Sequence, residues 1–459
     1  MAFLTHRSIR WMRGTLAAAL GVALSLSPAH AQQVLRDAET EAMLAEASAP
    51  LIKAAGLDPR NVQVLLIQDP SINAFVAGGQ IVWLHTGLIA QADNINQVQG
   101  VIAHELGHIE GGHVVRSSEG MKVASGISLL SLVLGAAAMA AGGAEAGLGI
   151  LAAGQQAAMG KYLAFSRTQE SSADLAGARY LHTAGITGKG SLEFFKKLQN
   201  LEYRYRLRED LGDGYATTHP LSGERISVLT DLYSKDPAWN KPVDPALEAR
   251  FERVKAKLIG FVSDPPVTLR QYPTTNMTPP ALYARAYAWH KGAYSDQALV
   301  AVDTLLKTIP GDPYFLELEG QILLESGRPA EAVAPLRKAT AATSGNPLIA
   351  SMLGHALVAT EDPANLDEAE RVLRTALVKD RENPFAWYVL GTVYGHKGDT
   401  ARAALASAEQ ANLSGDAAQA LRQSEMAMGT LAQGTQDYLR AQDIAMVSRA
   451  AMSKDRKRK

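Results

Sequence analysis

The stretch Val101–His113, VIAHELGHIEGGH, decides how the chain is read. On a helix, His104 and His108 stand one turn apart, so both imidazoles project from the same face. Two neutral ring nitrogens at that separation can hold one zinc ion, with Glu105 beside it. A carboxylate there can take a proton from a water whose pKa zinc lowers to roughly 7. Val98, Val101, Ile102, Leu106 and Ile109 supply the apolar positions of a buried helix. Burying two histidines and a carboxylate without a shared partner is costly, which favours an ion between them.

A zinc site needs a further protein ligand. The downstream GGH resembles the metzincin pattern HExxHxxGxxH, but position 114 is Val114 and the histidine, His113, comes one residue early. His113 therefore reads as a helix-end or outer residue. The other candidate is Glu170, in SRTQESSADLAGARY, a second helix in which Ala173, Leu175, Ala176 and Ala178 pack. Glu170 and Asp174 share a face. One carboxylate can bind the metal while the other accepts the N–H of a ligating histidine and fixes its tautomer. The competing reading is a solvated acidic face flanked by Arg167 and Arg179.

HELGH, the later ESSAD and the still later THPLSGERI together resemble the gluzincin family numbered forty-eight among the metallopeptidases. The segment Asn73–Ile89, NAFVAGGQIVWLHTGLI, matches what that family places just before its zinc helix. The resemblance implies His104, His108 and Glu170 as ligands of one Zn2+ per chain and Glu105 as general base. It implies Asp174 as an outer partner, with Arg225 a weaker candidate for the same cleft. For His219 it implies either stabilisation of an oxyanion or occupation of the open zinc position in a resting enzyme, roles with opposite mutant effects.

The chain has 459 residues, 47% hydrophobic and 20% charged, enough for two or three domains. A net charge of −1 gives no basis for a nucleic-acid partner. There is no cysteine, which excludes disulfides, thiolate ligands and cysteine nucleophiles. Arg7, Arg10 and Arg13, the uncharged run Gly14–Ser27 and then Pro28-Ala29-His30-Ala31 form a cleavable secretory signal. Cleavage after Ala31 leaves Gln32 first, and export to the periplasm is expected.

Arg36–Gly56 reads as a helix closed by Gly56. Val62–Ile67 is strand-like, and Ala74–Leu84 is a second strand interrupted by Gly78-Gly79. In the family's geometry this strand rims the cleft, where an extended substrate can add to it. Val123–Ala144 is uncharged and as long as a membrane span. A single crossing would separate His108 from Glu170, so a buried or membrane-touching hairpin returning through Leu148–Met159 is preferred, with a two-pass anchor as the alternative. Gly185–Tyr205 continues as helix, with Phe194, Phe195 and Leu198 as core.

Pro237–Pro245 and Pro265–Pro280 bracket a charged helix, Ala246–Phe261, and mark the domain junction. Beyond it Gly320, Gly354 and Gly391 recur at nearly equal intervals, with an insertion at Pro363–Asn365 lengthening the second. Ala332, Ala369 and Ala403 keep step, and AWYVLGTVYGHKGD resembles the tetratricopeptide pattern. Such helix pairs stack into a superhelix with a concave face. The terminal SKDRKRK reads as a disordered basic tail.

A mainly α chain follows. Residues 1–31 are a signal, 32–236 an α+β zincin-type metallopeptidase domain, 237–279 a linker with one helix, 280–415 an α-solenoid of tetratricopeptide repeats, and 416–459 capping helices and tail. With the signal and the repeats, the resemblance implies unfolded or misassembled outer-membrane β-barrel proteins as substrates. It also implies docking of the repeats on the barrel assembly machinery and peripheral membrane contact near 123–159. The alternatives are a chaperone or adaptor whose proteolysis is secondary or suppressed, and a membrane-embedded protease.

Overall fold

The computed structural model describes residues 33–140, 144–205, 219 and 222–458. The signal expected at 1–31 lies outside them, as do Thr217, Thr218 and Pro220.

The chain enters through strand β1 (Gln33–Leu35) and helix α1 (Ala38–Ala54). Asp37 caps α1 by accepting from the Thr40 amide at 2.8 Å, and Gly56, at φ +71°, makes the left-handed turn beyond its end. Strand β2 (Gln63–Gln68) follows. The stretch expected as one interrupted strand is two: β3 (Ala74–Ala77) and β4 (Ile81–His85), paired antiparallel. Gly78 and Gly79, at φ +68° and +96°, reverse the chain between them. The sheet order is β1-β2-β4-β3 with β2 and β4 parallel, so β3 is an edge.

Helix α2 (Thr86–Gln91) leads to α3 (Ile95–Glu110), whose cap residue Asn94 accepts from the Gln97 amide at 3.0 Å. Val98, Val101, Ile102 and Leu106 of α3 are fully buried. Gly112, at φ +62°, turns the chain into α4 (His113–Ala140), and α5 (Ala144–Ala184) returns alongside it. Then come α6 (Lys189–Tyr205), α7 (Gly223–Ser234) and α8 (Pro245–Val262). One apolar core joins α1, the sheet, α3, the end of α5, α6, α7 and α8. Here the structure differs from the expected linker: Leu247, Phe251, Val254 and Leu258 of α8 belong to that core.

The distal parts of α4 and α5 form the expected hairpin, but of its two expected forms, buried or membrane-touching, it is not the buried one. Leu129, Leu130, Val133 and Leu148 are 59% to 63% exposed, and the return leg is one 41-residue helix rather than a short segment.

After α9 (Pro265–Gln271) the chain is a run of antiparallel helix pairs. They are α10 (Pro279–Lys291) with α11 (Ser295–Thr308), α12 (Pro313–Glu325) with α13 (Pro329–Ala342), α14 (Pro347–Ala359) with α15 (Leu366–Lys379), and α16 (Pro384–His396) with α17 (Thr400–Leu413). A Cβ on Gly320 or Gly354 would lie 2.4 Å and 2.6 Å from Leu336 and Leu373 of the paired helix, which is why those positions are glycine. Asn346 and Asn383 cap the helices they precede. Helices α18 (Ala417–Met428) and α19 (Gln436–Arg458) close the array, and α19 carries the basic terminus as helix rather than as a disordered tail.

A buried ionic cluster ties the start of α1 to α8 and the first repeats. Lys257 lies 2.5 Å from Asp37 and 3.3 Å from Glu39, Tyr283 donates to Glu39 at 2.8 Å, and Arg253 bridges Glu39 and Asp312.

Candidate metal centre

The close crossing of α3 and α5 builds the site. A Cβ on Gly107 would stand 2.7 Å from the Ala173 carbonyl oxygen, and one on Gly177 3.1 Å from the Ala103 carbonyl. Small residues on both helices thus bring one face of α3 against the acidic face of α5. Glu170 and Asp174, 4% and 6% exposed, are no solvated acidic face.

His104 Nε2 and His108 Nε2 lie 3.1 Å apart, and each is 3.4 Å from a Glu170 oxygen. His219 Nδ1 lies 3.3 Å from His104 Nε2 and 3.1 to 3.2 Å from the Glu170 oxygens. An ion held tetrahedrally at roughly 2.0–2.1 Å has ligand–ligand edges of roughly 3.3 Å, so four donors at this spacing fit one ion. Among the described residues these four side chains are the group that could hold a metal.

The outer partners fix which nitrogens carry lone pairs. His104 Nδ1 lies 2.9 Å from Asp174 Oδ1 and donates to it. His219 Nε2 donates to the Ala74 carbonyl of β3 at 3.2 Å. His108 Nδ1 lies 2.9 Å from His113 Nδ1, and His113 Nε2 lies 3.1 Å from Ser172 Oγ, which itself donates to the Gln169 carbonyl. Each ring therefore turns a bare nitrogen inward. Three lone pairs and a carboxylate converging in a buried space repel one another unless a positive charge sits among them.

Protonation follows the same demand. Burial pulls His104 down, but hydrogen bonds to Asp174 and Glu170 outweigh it and push the ring up to about 10. His108 is pulled down to about 2 by burial and by the charge on His104. Burial raises Glu170, yet the hydrogen bonds with His104 and His219 hold it well below the usual carboxylate range. The set accommodates positive charge at its centre.

Arg225 spans the two carboxylates. Its Nε donates to Asp174 Oδ2 at 2.6 Å, and a terminal nitrogen lies 3.1 Å from Glu170 Oε2. Asp174 is raised by burial but held below the usual range by Arg225 and His104. Phe195, read from sequence as core, also walls the site: its ring meets His104 edge-on at 5.9 Å and underlies the Arg225 guanidinium at 5.8 Å.

Glu105 is fully buried, and neither of its oxygens has a hydrogen-bond partner among the described residues. His219 Nε2 lies 3.5 Å from one of its oxygens, and burial raises its carboxyl above the usual range. A carboxylate kept dry and uncommitted beside a ligand set is poised to accept a proton.

Residues 36–233 match the model of peptidase family M48. The chain carries an M48 peptidase domain. Among curated relatives, the beta-barrel assembly-enhancing protease of Yersinia pestis is 26% identical over 363 residues, covering 78% of this chain and 72% of the relative. The metalloprotease LoiP of Escherichia coli (strain K12) is 33% identical over 181 residues, covering 39% of this chain and 64% of the relative. A solved TPR protein with an unusual peptide-binding site aligns at 18% identity over 38% of this chain and 91% of its own, with a TM-score of 0.31.

The M48 domain brings together every residue singled out from the sequence: His104, Glu105, His108, Glu170, Asp174, His219 and Arg225. Two contacts escaped that reading. The Ala74 carbonyl that holds His219 is backbone, which no motif reports. The chain from His108 through His113 to Ser172 depends on the Gly111-Gly112 turn. A Cβ on Gly111 would lie 2.3 Å from the His113 ring, and that crowding is the signal a double glycine before a histidine could have given.

Proposed function

We propose that this metallopeptidase is an exported zinc endopeptidase that hydrolyses peptide bonds of misfolded or stalled outer-membrane β-barrel proteins. The observation that carries the chemistry is Glu105, a buried carboxylate with no hydrogen-bond partner among the described residues, set against three inward-facing imidazole nitrogens and Glu170. His104, His108 and Glu170 would hold the zinc ion, which when bound supplies Lewis acidity and lowers the pKa of a water. Glu105 takes the water's proton and later delivers it to the leaving amine. Asp174 keeps the His104 ring in the tautomer that turns Nε2 inward, and Arg225 holds both carboxylates in place.

Strand β3, which has no strand partner on its outer side among the described residues, supports the substrate reading. Ala74 at its start touches His219 through its carbonyl, so an extended chain added to this edge runs past the ligand set. Backbone pairing tolerates many side chains, which suits unfolded clients. The substrate class and the docking of the repeats on barrel assembly machinery rest on the name of a relative, a beta-barrel assembly-enhancing protease, and export rests on the signal expected at residues 1–31.

A second reading, chaperone or adaptor with proteolysis suppressed, draws on His219. Its Nδ1 occupies the fourth corner of the donor set, where a reacting water would sit. We place His219 as a gate that must withdraw before cleavage. Casein cleavage by the mature chain beside Glu105→Gln and His219→Ala tests both readings. Cleavage lost in the first and raised in the second supports the gated peptidase. No cleavage by either wild type or His219→Ala, with zinc bound, supports the chaperone.

A further inference from the structure

The distal halves of α4 and α5 form an antiparallel pair that leaves the protease core and exposes apolar side chains on all sides. Among the described residues, His113–Met139 is the helix long and apolar enough to cross a membrane. We infer that the α4–α5 pair is a two-helix anchor that crosses a phospholipid bilayer and returns, holding the peptidase domain against one face.

Four observations converge. The first is length. Lys122 and Lys161 are the last charges before the tip on the two legs, and between them the described residues carry one charged side chain, Glu145. From Lys122 to the tip is about 27 Å of helix and from the tip back to Lys161 about 26 Å, close to the hydrocarbon thickness of roughly 30 Å. Glu145 then lies beyond the core at the far headgroups rather than at the midplane, where a carboxylate is expensive.

The second is the distribution of apolar surface. A helix that docks on a protein shows one apolar stripe, whereas the outgoing leg exposes apolar side chains around its circumference, the pattern of a lipid-surrounded span. The return leg does so except at the exposed Gln155 and Gln156, about 8 to 9 Å of helix from Lys161 and so toward the near headgroups. Leu130, Val133 and Leu148 all face outward, at 59% to 61% exposure.

The third is how the legs hold each other. A Cβ on Gly135 would lie 2.9 Å from the Gly147 carbonyl oxygen, and one on Gly154 2.0 Å from Ser131 Cβ. Close backbone approach through small residues is how helices associate where lipid leaves no hydrophobic drive between them. The Ser131 hydroxyl is satisfied within its own helix by the Ser128 carbonyl at 2.8 Å.

The fourth is the collar at the base. Arg116, Lys122, Lys161 and Arg167 are exposed there with Glu119 as the opposing charge, and Tyr162 is 36% exposed beside Lys161. Basic groups that reach anionic headgroups, with an amphipathic ring at the interface, mark a membrane boundary. Because both legs end at this collar, His108 and Glu170 stay on one side, which a single crossing would not allow. Glu170 lies nine residues beyond Lys161, about 14 Å outside the membrane surface, so the ligand set faces the water layer next to the lipid.

The test uses the full mature chain with vesicles of phosphatidylethanolamine and phosphatidylglycerol. The wild type is expected to float with the vesicles and stay bound through an alkaline carbonate wash. Leu130→Lys with Leu134→Lys, both exposed positions, is expected to lose flotation at least tenfold with unchanged melting temperature and casein cleavage. Since the chain has no cysteine, Glu145→Cys gives a single reporter for a membrane-impermeant maleimide. Labelling of that position should be complete in solution, fall at least tenfold in vesicles and return with detergent. Three results overturn the anchor: wild type remaining at the bottom of the gradient, carbonate extraction with position 145 labelled at its solution rate, or a vesicle-free dimer that the lysine pair dissociates. None of them bears on whether the domain is a peptidase.

Discussion

Asp174→Asn perturbs the site without touching a proposed ligand. Asp174 accepts from His104 Nδ1 at 2.9 Å and from Arg225 at 2.6 Å and 2.9 Å. The asparagine oxygen can still accept, but the charge that fixes the His104 tautomer and balances Arg225 is gone. Loss of such an outer partner typically weakens a metal site 10- to 100-fold, roughly 1.4 to 2.8 kcal/mol at 25 °C. The metal-free protein also loses stability, because the buried Arg225 charge loses the carboxylate it meets at 2.6 Å and 2.9 Å. Breaking such a pair costs on the order of 3 kcal/mol. Zinc competition against a chromophoric chelator reads the first quantity, and urea unfolding with and without metal reads the second. A variant that binds zinc as tightly as wild type, at unchanged metal-free stability, would refute the role given to Asp174.

Gly107→Ala places a methyl 2.7 Å from the Ala173 carbonyl oxygen. It should cost about 1 to 3 kcal/mol and weaken zinc binding together with stability; a neutral effect in urea unfolding would show that the crossing tolerates the extra volume. His219→Ala opens the fourth corner and should raise casein cleavage several-fold while loosening zinc in the chelator assay. Unchanged cleavage would remove the gate. Glu317, at the junction with the repeats, is pushed up to about 8 by burial against an ordinary value of 4.5. The folded form therefore holds a proton that the unfolded chain releases, and stability falls as pH rises from about 4.5 to 8. Glu317→Gln should be neutral near pH 4 and stabilise by up to roughly 5 kcal/mol above pH 8; equal gains in unfolding at both pH values would contradict this.

Legibility from sequence followed the range of the physics involved. Motif chemistry is local, so His104, Glu105 and His108 were read from one helix, and Glu170 with Asp174 from another. Joining the helices depended on glycine and alanine at Gly107, Ala173 and Gly177, where the cue is an absent side chain. The repeats declared themselves through Gly320 and Gly354, each opposite a leucine of its paired helix. In sequence the Gly78-Gly79 reversal is indistinguishable from an interruption of one strand, because a strand pattern does not say which partner it pairs with. The α8 helix read as a linker for a similar reason: its flanking prolines signal a boundary, but its contacts with a core some 150 residues earlier leave no local mark. The α4–α5 pair was legible as apolar, and its exposure required the structure.

The most direct test is metal content measured with casein cleavage, on wild type and Glu105→Gln purified side by side. The proposed chemistry requires close to one zinc per chain in both proteins, with cleavage in the wild type reduced at least a thousandfold by the substitution. Protein carefully prepared without zinc loss that contains none, or Glu105→Gln that cleaves at the wild-type rate, would contradict it.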